Sequence, residues 1–312
     1  MRSILTCLAL VAVLWLIAAP DAHADEATPC TSTATGDLRL HTLKSAIFGN
    51  ERTVRVLLPD GYDDPANRDR RYPVLYMLDG QNVFDACLSD VSRKEWGVDE
   101  TVRRLMAAGQ IPPVIVVGVD HAGAARGHEY LPYKDFAGNP DMPEPAGRQF
   151  PDFMAKEVMP LVDARYRTLT GHANTGIGGS SYGGIASLYA LLARPNAFGY
   201  ALIESPVLWI GMGQMVRDTR PLIAMPRKVF IGFGGKEIGD PKVSERVIGL
   251  VREVEANFRA AGFDDTRLQV IVDPEAEHNE PAWAERLPNA LTFLFGDWTP
   301  PPAPMAQGGA GG

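Results

Sequence analysis

Residues 175–183 read Thr-Gly-Ile-Gly-Gly-Ser-Ser-Tyr-Gly. The last five residues fit the pattern Gly-x-Ser-x-Gly, in which a serine stands on a sharp turn between a strand and a helix. Gly179 and Gly183 lack a Cβ atom at the two places where such a turn brings backbones together. Residues 184–193 are compatible with a helix, whose N-terminus would lie under Ser181 and favour negative charge there. The pattern therefore predicts that Ser181 is a nucleophile. A plain turn of small residues is the alternative.

The first 24 residues have the features of a secretory signal peptide. Arg2 precedes an apolar run from Ile4 to Ala19, and the triplet Ala22-His23-Ala24 resembles a cleavage site. We predict cleavage after Ala24 and export of the mature chain to the periplasm or the extracellular space. The alternative is an uncleaved anchor helix, which is disfavoured because the apolar run is short for a membrane span. We therefore expect no stable membrane anchor.

The net charge argues against a nucleic-acid-binding protein, and the cysteines indicate a disulfide. The formal net charge is −8 at pH 7, which is unfavourable for binding nucleic acid. Of the 3 cysteines, Cys7 lies in the predicted signal peptide, so Cys30 and Cys87 remain in the mature chain. Two cysteines in an exported protein usually form a disulfide. We predict a Cys30–Cys87 disulfide and no metal site, with two reduced thiols as the alternative.

Short apolar runs alternate with longer segments of helical periodicity, which is typical of an α/β fold with a mostly parallel sheet and helices on both faces. The predicted strands are 53–58, 74–78, 114–119, 175–178, 201–204, 229–233 and 268–272, and the predicted helices are 98–108, 150–163, 184–193, 244–261 and 281–295. The signal peptide (1–24) and an N-terminal segment (25–36) precede one domain over residues 37–298. A Pro/Gly-rich tail (299–312) follows and is expected to be disordered.

Residues directly after the predicted strands are candidates for chemistry, because ligands of open α/β sheets bind beyond the carboxyl ends of the strands. A serine nucleophile needs a base, and His278, after the last predicted strand, is the best-placed histidine. The imidazole needs a carboxylate, which falls between serine and histidine in related arrangements. Glu237, after the preceding strand, fits best, unless it is a solvated acid beside Lys236. Asp240 and Glu204 are the alternative acids.

Backbone N–H groups must stabilise the oxyanion that forms when an ester carbonyl is attacked. One donor is expected from Tyr182, the residue after the candidate nucleophile, and a second from Gln81, in the turn after an early strand. Trp209, which follows a predicted strand, and His128, in a loop on the same side, are candidate pocket residues. A tryptophan in the core and a histidine that faces solvent are the alternatives.

Five segments resemble the putative esterase family of the α/β-hydrolase superfamily. They contain Met77-Leu78-Asp79-Gly80-Gln81-Asn82, Glu95-Trp96-Gly97, Arg126-Gly127-His128-Glu129-Tyr130, Gly179-Ser180-Ser181-Tyr182-Gly183-Gly184 and His278-Asn279-Glu280. This family includes feruloyl and acetylxylan esterases, siderophore esterases, S-formylglutathione hydrolases and mycolyltransferases. The resemblance implies an α/β-hydrolase fold with little or no separate lid domain. It also implies that Ser181 and His278 are nucleophile and base and that Gln81 and Tyr182 are the oxyanion donors. Glu237 matches the family's acid less directly, because that loop varies.

These features together predict a secreted serine carboxylic ester hydrolase that forms an acyl-enzyme on Ser181 and needs no cofactor. An acyltransferase with the same triad is the first alternative, since it differs only in whether an alcohol or water accepts the acyl group. A catalytically silent module that binds carbohydrate or a partner is the second. The residues do not choose between small-molecule and polysaccharide-linked esters, and they indicate no oligomeric state.

Overall fold

A computed structural model of the protein describes residues 30–89, 93–135, 144–220 and 226–300. The predicted signal peptide and residues 301–312 of the predicted tail lie outside this part of the chain. The chain divides into two units after Thr31. Of the first unit only Cys30 and Thr31 are described, and neither belongs to a helix or strand. The structure contains the predicted disulfide between Cys30 and Cys87.

An eight-stranded sheet forms the centre of the second unit. Its strands are β1 (Asp37–Lys44), β2 (Glu51–Leu58), β3 (Val74–Leu78), β4 (Ile115–Val119), β5 (Thr175–Ser180), β6 (Tyr200–Glu204), β7 (Lys228–Gly234) and β8 (Leu268–Asp273). Their order is β1-β2-β4-β3-β5-β6-β7-β8. β2 is antiparallel to β1 and β4, whereas the other neighbours are parallel. The carboxyl ends of β3 to β8 therefore share one edge of the sheet.

The helices connect these strands and lie on both faces of the sheet. They are α1 (Val98–Ala107), α2 (Arg126–Tyr130), α3 (Phe150–Phe153), α4 (Met159–Asp163), α5 (Tyr182–Ala193), α6 (Ile210–Asp218), α7 (Pro241–Ala260) and α8 (Glu280–Phe295). A π-helical turn, Met154–Val158, joins α3 to α4. No helix in the described ranges is long and apolar enough to cross a membrane.

Alternate residues of the buried strands pack against different helices. In β3, Tyr76 and Leu78 join a core cluster that includes residues of α3, α4, α5 and α7. Leu75 and Met77 join a second cluster, together with residues of α1 and α8. Because successive side chains of a strand point to opposite faces, both faces of the sheet are covered. The predicted fold class, an α/β-hydrolase type with a mostly parallel sheet, is confirmed.

The seven predicted strands are all present, and their ends differ from the prediction by at most two residues. The predicted helix 150–163 is correct in extent but is interrupted by the π-helical turn. The prediction missed β1, α2 and α6. Of these, β1 is an edge strand that leaves most of its side chains at least partly exposed, so it lacks the apolar run that revealed the buried strands.

Candidate active site

Ser181 stands on the turn between β5 and α5. β5 ends at Ser180 and α5 begins at Tyr182, so a single residue separates strand from helix. Its backbone has φ 58° and ψ −120°, a strained conformation for a residue with a side chain. The Ser181 N–H donates to the carbonyl of Glu204 at 3.0 Å, which ties the turn to the end of β6. Such a turn presents the serine hydroxyl beyond the carboxyl end of its strand.

The glycines around this turn are required by close contacts. A Cβ atom on Gly179 would lie 3.0 Å from the carbonyl carbon of Gly183, and one on Gly183 would lie 2.9 Å from a carboxylate oxygen of Asp79. A Cβ atom on Gly184 would lie 2.6 Å from the carbonyl oxygen of Glu204. The glycines therefore permit the close approach of strand, helix and neighbouring loops that the motif predicts.

Glu237 and His278 are hydrogen-bonded to each other beyond the ends of β7 and β8. Nδ1 of His278 lies 2.9 Å from Oε2 of Glu237. The Glu237 side chain is 2% exposed, whereas the His278 side chain is 30% exposed. The acid is therefore shielded from water while the imidazole remains accessible. Glu237 is not a solvated partner of Lys236, because Lys236 forms its ion pair with Glu275 instead.

Two further donors hold the other oxygen of the Glu237 carboxylate. Oε1 accepts a hydrogen bond from the backbone N–H of Gly234 at 2.6 Å and another from the hydroxyl of Ser205. The Ser205 hydroxyl accepts in turn from the indole N–H of Trp283, at 2.8 Å. The carboxylate is thus bonded on both oxygens, which fixes its orientation toward the imidazole.

Ser205 also connects the acid to the nucleophile turn. It directly follows Glu204, whose carbonyl accepts the Ser181 N–H. In the sheet, β6 lies between β5, which leads to Ser181, and β7, which leads to Glu237. The contact of Glu237 with Ser205 therefore places the Glu237 carboxylate on the side of β7 that faces β6 and β5.

The alternative acids Asp240 and Glu204 are engaged elsewhere. Asp240 is the N-cap of α7 and accepts from two backbone N–H groups of its first turn. The Glu204 side chain is 0% exposed and accepts from Arg286 at 2.7–3.3 Å. Burial raises the pKa of Glu204 to about 7, Arg286 opposes this rise, and nearby Glu237 adds to it. Among the described residues, Glu237 is the carboxylate that hydrogen-bonds to His278.

Gln81 and Tyr182 lie on the two elements from which the oxyanion donors were expected. Tyr182 is the first residue of α5, so its N–H has no partner within the helix. Gln81 is 8% exposed and lies in a 3₁₀ turn, Gly80–Asn82, directly after β3. Its side-chain oxygen accepts from the N–H of His121 at 3.2 Å. This bond fixes the Gln81 turn to the loop after β4. The donor roles stay predictions.

An ion pair between Asp79 and Arg126 joins the two turns. Nε and Nη2 of Arg126 each donate to a different oxygen of Asp79, at 2.7 Å. Nη2 also lies 3.5 Å from the carbonyl oxygen of Ser180. Asp79 immediately precedes the turn that contains Gln81, and its carboxylate lies against Gly183. Both residues lie in segments that resemble the putative esterase family, but no pattern in the sequence pairs them.

We expect Arg126→Lys to lower kcat for ester hydrolysis about tenfold with little change in KM, because lysine keeps the charge but cannot make two parallel bonds to Asp79. Steady-state kinetics on p-nitrophenyl acetate measure this. Arg39→Lys is the matched control, since Arg39 makes a similar two-bond pair with Asp37 on the exposed edge strand. Equal kcat in Arg126→Lys and wild type would show that the pair does not position the site.

Trp209 and His128 lie in the segments that follow β6 and β4, at the same edge of the sheet. Trp209 follows β6, immediately precedes α6 and packs, half-buried, against the core cluster on the α5 side. His128 lies in α2 and is half-buried, and within the described ranges its Nδ1 has no hydrogen-bond partner. No hydrogen bond of the described residues joins either side chain to Ser181 or His278. Their roles in a pocket stay predictions.

A cavity of about 610 Å³ lies at the opposite edge of the sheet. Residues near the amino ends of β5 to β8 line it, including Asn174, Tyr200, Arg227 and Arg267, together with Trp298. No residue of the Ser181, Glu237 or His278 loops contributes to it. The position of the catalytic candidates, rather than the size of this cavity, therefore locates the candidate active site.

The sequence profile described as "Putative esterase" matches residues 45–294. The chain belongs to the putative esterase family. An endo-1,4-beta-xylanase/feruloyl esterase from Xylanibacter ruminicola is 26% identical over 272 residues, which are 83% of this chain and 31% of that protein. A siderophore triacetylfusarinine C esterase from Aspergillus fumigatus is 25% identical over 278 residues, which are 80% of this chain and 90% of that protein. With these relatives, membership of the family identifies the protein as a carboxylic ester hydrolase.

Solved structures show the same fold. An IroE-like serine hydrolase from Shewanella oneidensis superimposes with a TM-score of 0.68 at 20% identity, over 83% of this chain and 80% of that chain. A siderophore hydrolase from Aspergillus nidulans gives a TM-score of 0.63 at 19% identity, over 81% of this chain and 95% of that chain. At these identities the likeness establishes the α/β-hydrolase fold.

Proposed function

We propose that the protein is an exported serine esterase that forms an acyl-enzyme on Ser181, with His278 as the base and Glu237 as its acid partner. The observation that carries this proposal is the hydrogen bond between buried Glu237 and accessible His278. It lies at the edge of the sheet where Ser181 occupies a strained turn. A structural role alone would not require a strained serine, a buried acid and an accessible imidazole at one edge.

The reaction begins with attack of the Ser181 hydroxyl on the ester carbonyl carbon while Nε2 of His278 accepts its proton. Glu237 accepts the Nδ1–H of the ring, so Nε2 is the nitrogen that lacks a proton, and the carboxylate balances the charge of the imidazolium. The backbone N–H groups of Gln81 and Tyr182 stabilise the oxyanion. The bond to the alcohol oxygen then breaks, and the imidazolium returns the proton to that oxygen.

Deacylation repeats these steps with water as the nucleophile. His278 accepts a proton from a water molecule that attacks the acyl carbonyl, and the ester bond to Ser181 breaks as the proton passes to the serine oxygen. The carboxylic acid leaves and the enzyme is restored. An alcohol in place of that water would give acyl transfer, and no feature of the described residues favours an alcohol.

The substrate we propose is a carboxylic ester, either a small molecule or an acyl group carried by a polysaccharide or a siderophore. The names of the feruloyl and siderophore esterases among the relatives support this range. Trp209 would contact the acyl group as a flat apolar surface, and His128 would lie at the pocket rim.

Kinetics and covalent labelling of the purified protein test this function. We expect turnover of p-nitrophenyl acetate and butyrate, and one fluorophosphonate adduct per chain, on Ser181. Methyl ferulate and a trilactone siderophore then compare the two substrate classes by kcat/KM. Mass analysis with added alcohol compares hydrolysis with acyl transfer. A folded protein with neither turnover nor labelling would overturn the proposal and favour the binding-module alternative.

Export is the second part of the proposal, supported by the disulfide between Cys30 and Cys87 and by the composition of residues 1–24. We expect the secreted protein to begin at Asp25 and to have both cysteines protected from alkylation until a reductant is added. Intact-mass measurement before and after reduction checks both points. A protein retained in the cytoplasm with its first 24 residues would contradict the signal peptide.

A further inference from the structure

We propose that Ser205 and Trp283 form a relay that positions Glu237 as the acid partner of His278. This proposal rests on the proposed esterase function, and it adds two positioning residues that the sequence did not identify. Ser205 follows β6 and Trp283 lies in the first turn of α8, so neither belongs to the loops that carry the three catalytic candidates. Both side chains are buried, with Ser205 at 0% and Trp283 at 5% exposure.

The chemistry of the groups fixes the direction of the hydrogen bonds. The indole N–H of Trp283 can only donate, so at 2.8 Å the Ser205 oxygen must accept from it. The single hydroxyl proton of Ser205 is then left for its other neighbour, Oε1 of Glu237. The relay therefore runs in one direction, from the indole through the hydroxyl to the carboxylate, and on the far oxygen Glu237 accepts from His278.

The Ser205 hydroxyl gives Oε1 of Glu237 a second donor beside the backbone N–H of Gly234. Gly234 holds Oε1 through its N–H, but a single bond allows the carboxylate to rotate about it. The Ser205 hydroxyl adds a second fixed point on the same oxygen, so Oε2 is directed at Nδ1 of His278. Trp283 also contacts the imidazole directly, because its ring packs edge-on against the His278 ring with centroids 5.2 Å apart.

The backbone at Ser205 gives an independent reason to assign a function to its side chain. Ser205 has φ 46°, a conformation that glycine adopts without strain and other residues adopt at a cost. Its N–H donates to the carbonyl of Gly232 at 2.8 Å, which holds the conformation in place. A residue with a side chain is strained in such a position, and the two hydrogen bonds of this side chain link Trp283 to Glu237.

Two substitutions at Ser205 separate the hydroxyl from the strain. Ser205→Ala removes the hydroxyl, keeps the strain and leaves the buried Trp283 N–H without its acceptor, so the protein should melt at a lower temperature. Ser205→Gly removes the hydroxyl and relieves the strain, so it should melt at a higher temperature than Ser205→Ala. We expect both variants to lose about ten- to thirtyfold in kcat at nearly constant KM, because both lack the donor to Glu237.

A second readout comes from the same changes in a His278→Ala background. If Ser205 acts through Glu237 and the imidazole, its replacement should change the fluorophosphonate labelling rate less than about twofold once the imidazole is gone. Trp283→Phe should lower kcat severalfold in the wild-type background and show the same dependence on His278. Ser187→Ala is the matched control, since Ser187 is a fully buried serine whose hydroxyl has no hydrogen-bond partner in the described part of the chain.

The outcomes distinguish the relay from the function on which it rests. Wild-type activity that Ser181→Ala abolishes, with wild-type kcat in both Ser205 variants, would overturn the relay alone. A loss of kcat in Ser205→Ala that Ser205→Gly does not share, or an equal loss with and without His278, would show a purely structural role and also overturn it. A folded wild type with neither turnover nor labelling would overturn the esterase function itself.

Discussion

Ser181→Ala should lower kcat/KM for p-nitrophenyl acetate by about 10⁴-fold or more, since removing the nucleophile of a serine hydrolase leaves only the contribution of binding and the oxyanion hole. Fluorophosphonate labelling should disappear with it. The fold should remain, because alanine keeps the backbone bond from residue 181 to the carbonyl of Glu204. Initial rates, intact mass and a thermal melt on the same sample measure the three effects.

Ser180→Ala is the control for this prediction. Ser180 is the last residue of β5 and is 5% exposed, so its replacement perturbs the same turn without removing the proposed nucleophile. We expect its kcat/KM to stay within about threefold of wild type. Equal losses in the two variants would mean that the turn matters and Ser181 does not. An adduct on any other residue of the wild type would reassign the nucleophile.

The sequence predicted the buried strands well because of how they are placed in the sheet. β3 to β7 have neighbouring strands on both sides and helices on both faces. Strands buried in this way are short apolar runs in the sequence, and such runs are typical of buried strands. β1 pairs with one neighbour and leaves most of its side chains at least partly exposed, so its composition resembles that of a loop.

Local backbone conformation explains why α6 was missed. Gly211, Met212 and Gly213 all have positive φ, between 54° and 74°, inside the segment Ile210–Asp218. A left-handed turn of this kind interrupts the 3.6-residue period on which helix prediction depends. The π-helical turn Met154–Val158, in contrast, did not prevent prediction of the helix 150–163. A single wider turn leaves the helical pattern of apolar residues around it intact.

The sequence nominates the candidate site residues because each lies in a segment that follows a parallel strand, and the carboxyl ends of parallel strands meet at one edge. It could not locate residues that act through pairing. Arg126 and Asp79 are 47 positions apart, and Ser205 and Trp283 are 78 positions apart. Arg126 lies in α2 and Trp283 in α8, and only the packing of these helices against the sheet shows which buried polar residues they contact. The sequence favoured Glu237 over Asp240 and Glu204 by its place after β7, and the structure adds the hydrogen bond to His278 that the sequence could not show.

Glu237→Gln should lower kcat by about 10³- to 10⁴-fold, the scale seen when the acid of a serine triad becomes an amide. Glutamine keeps the size of the side chain, so Gly234 and Ser205 retain an acceptor, but an amide cannot balance the imidazolium charge. Its NH₂ group also competes for Nδ1 and favours the tautomer in which Nε2 carries the proton. Activity at saturating p-nitrophenyl acetate, with a thermal melt to verify folding, measures the effect.

Replacing either of the two other acids, Asp240 or Glu204, should leave kcat nearly unchanged, in contrast to Glu237→Gln. This difference makes the assignment of Glu237 specific. Asp240→Asn keeps a good N-cap for α7, so kcat and stability should both remain near wild type. Glu204→Gln leaves the buried guanidinium of Arg286 uncompensated and should lower the free energy of unfolding by about 3 kcal/mol. Its kcat should stay within about threefold below the melting temperature, because Glu204 makes its side-chain bonds to Arg286 and none to His278. If Glu204→Gln or Asp240→Asn loses more turnover than Glu237→Gln, the acid that orients His278 has to be reassigned.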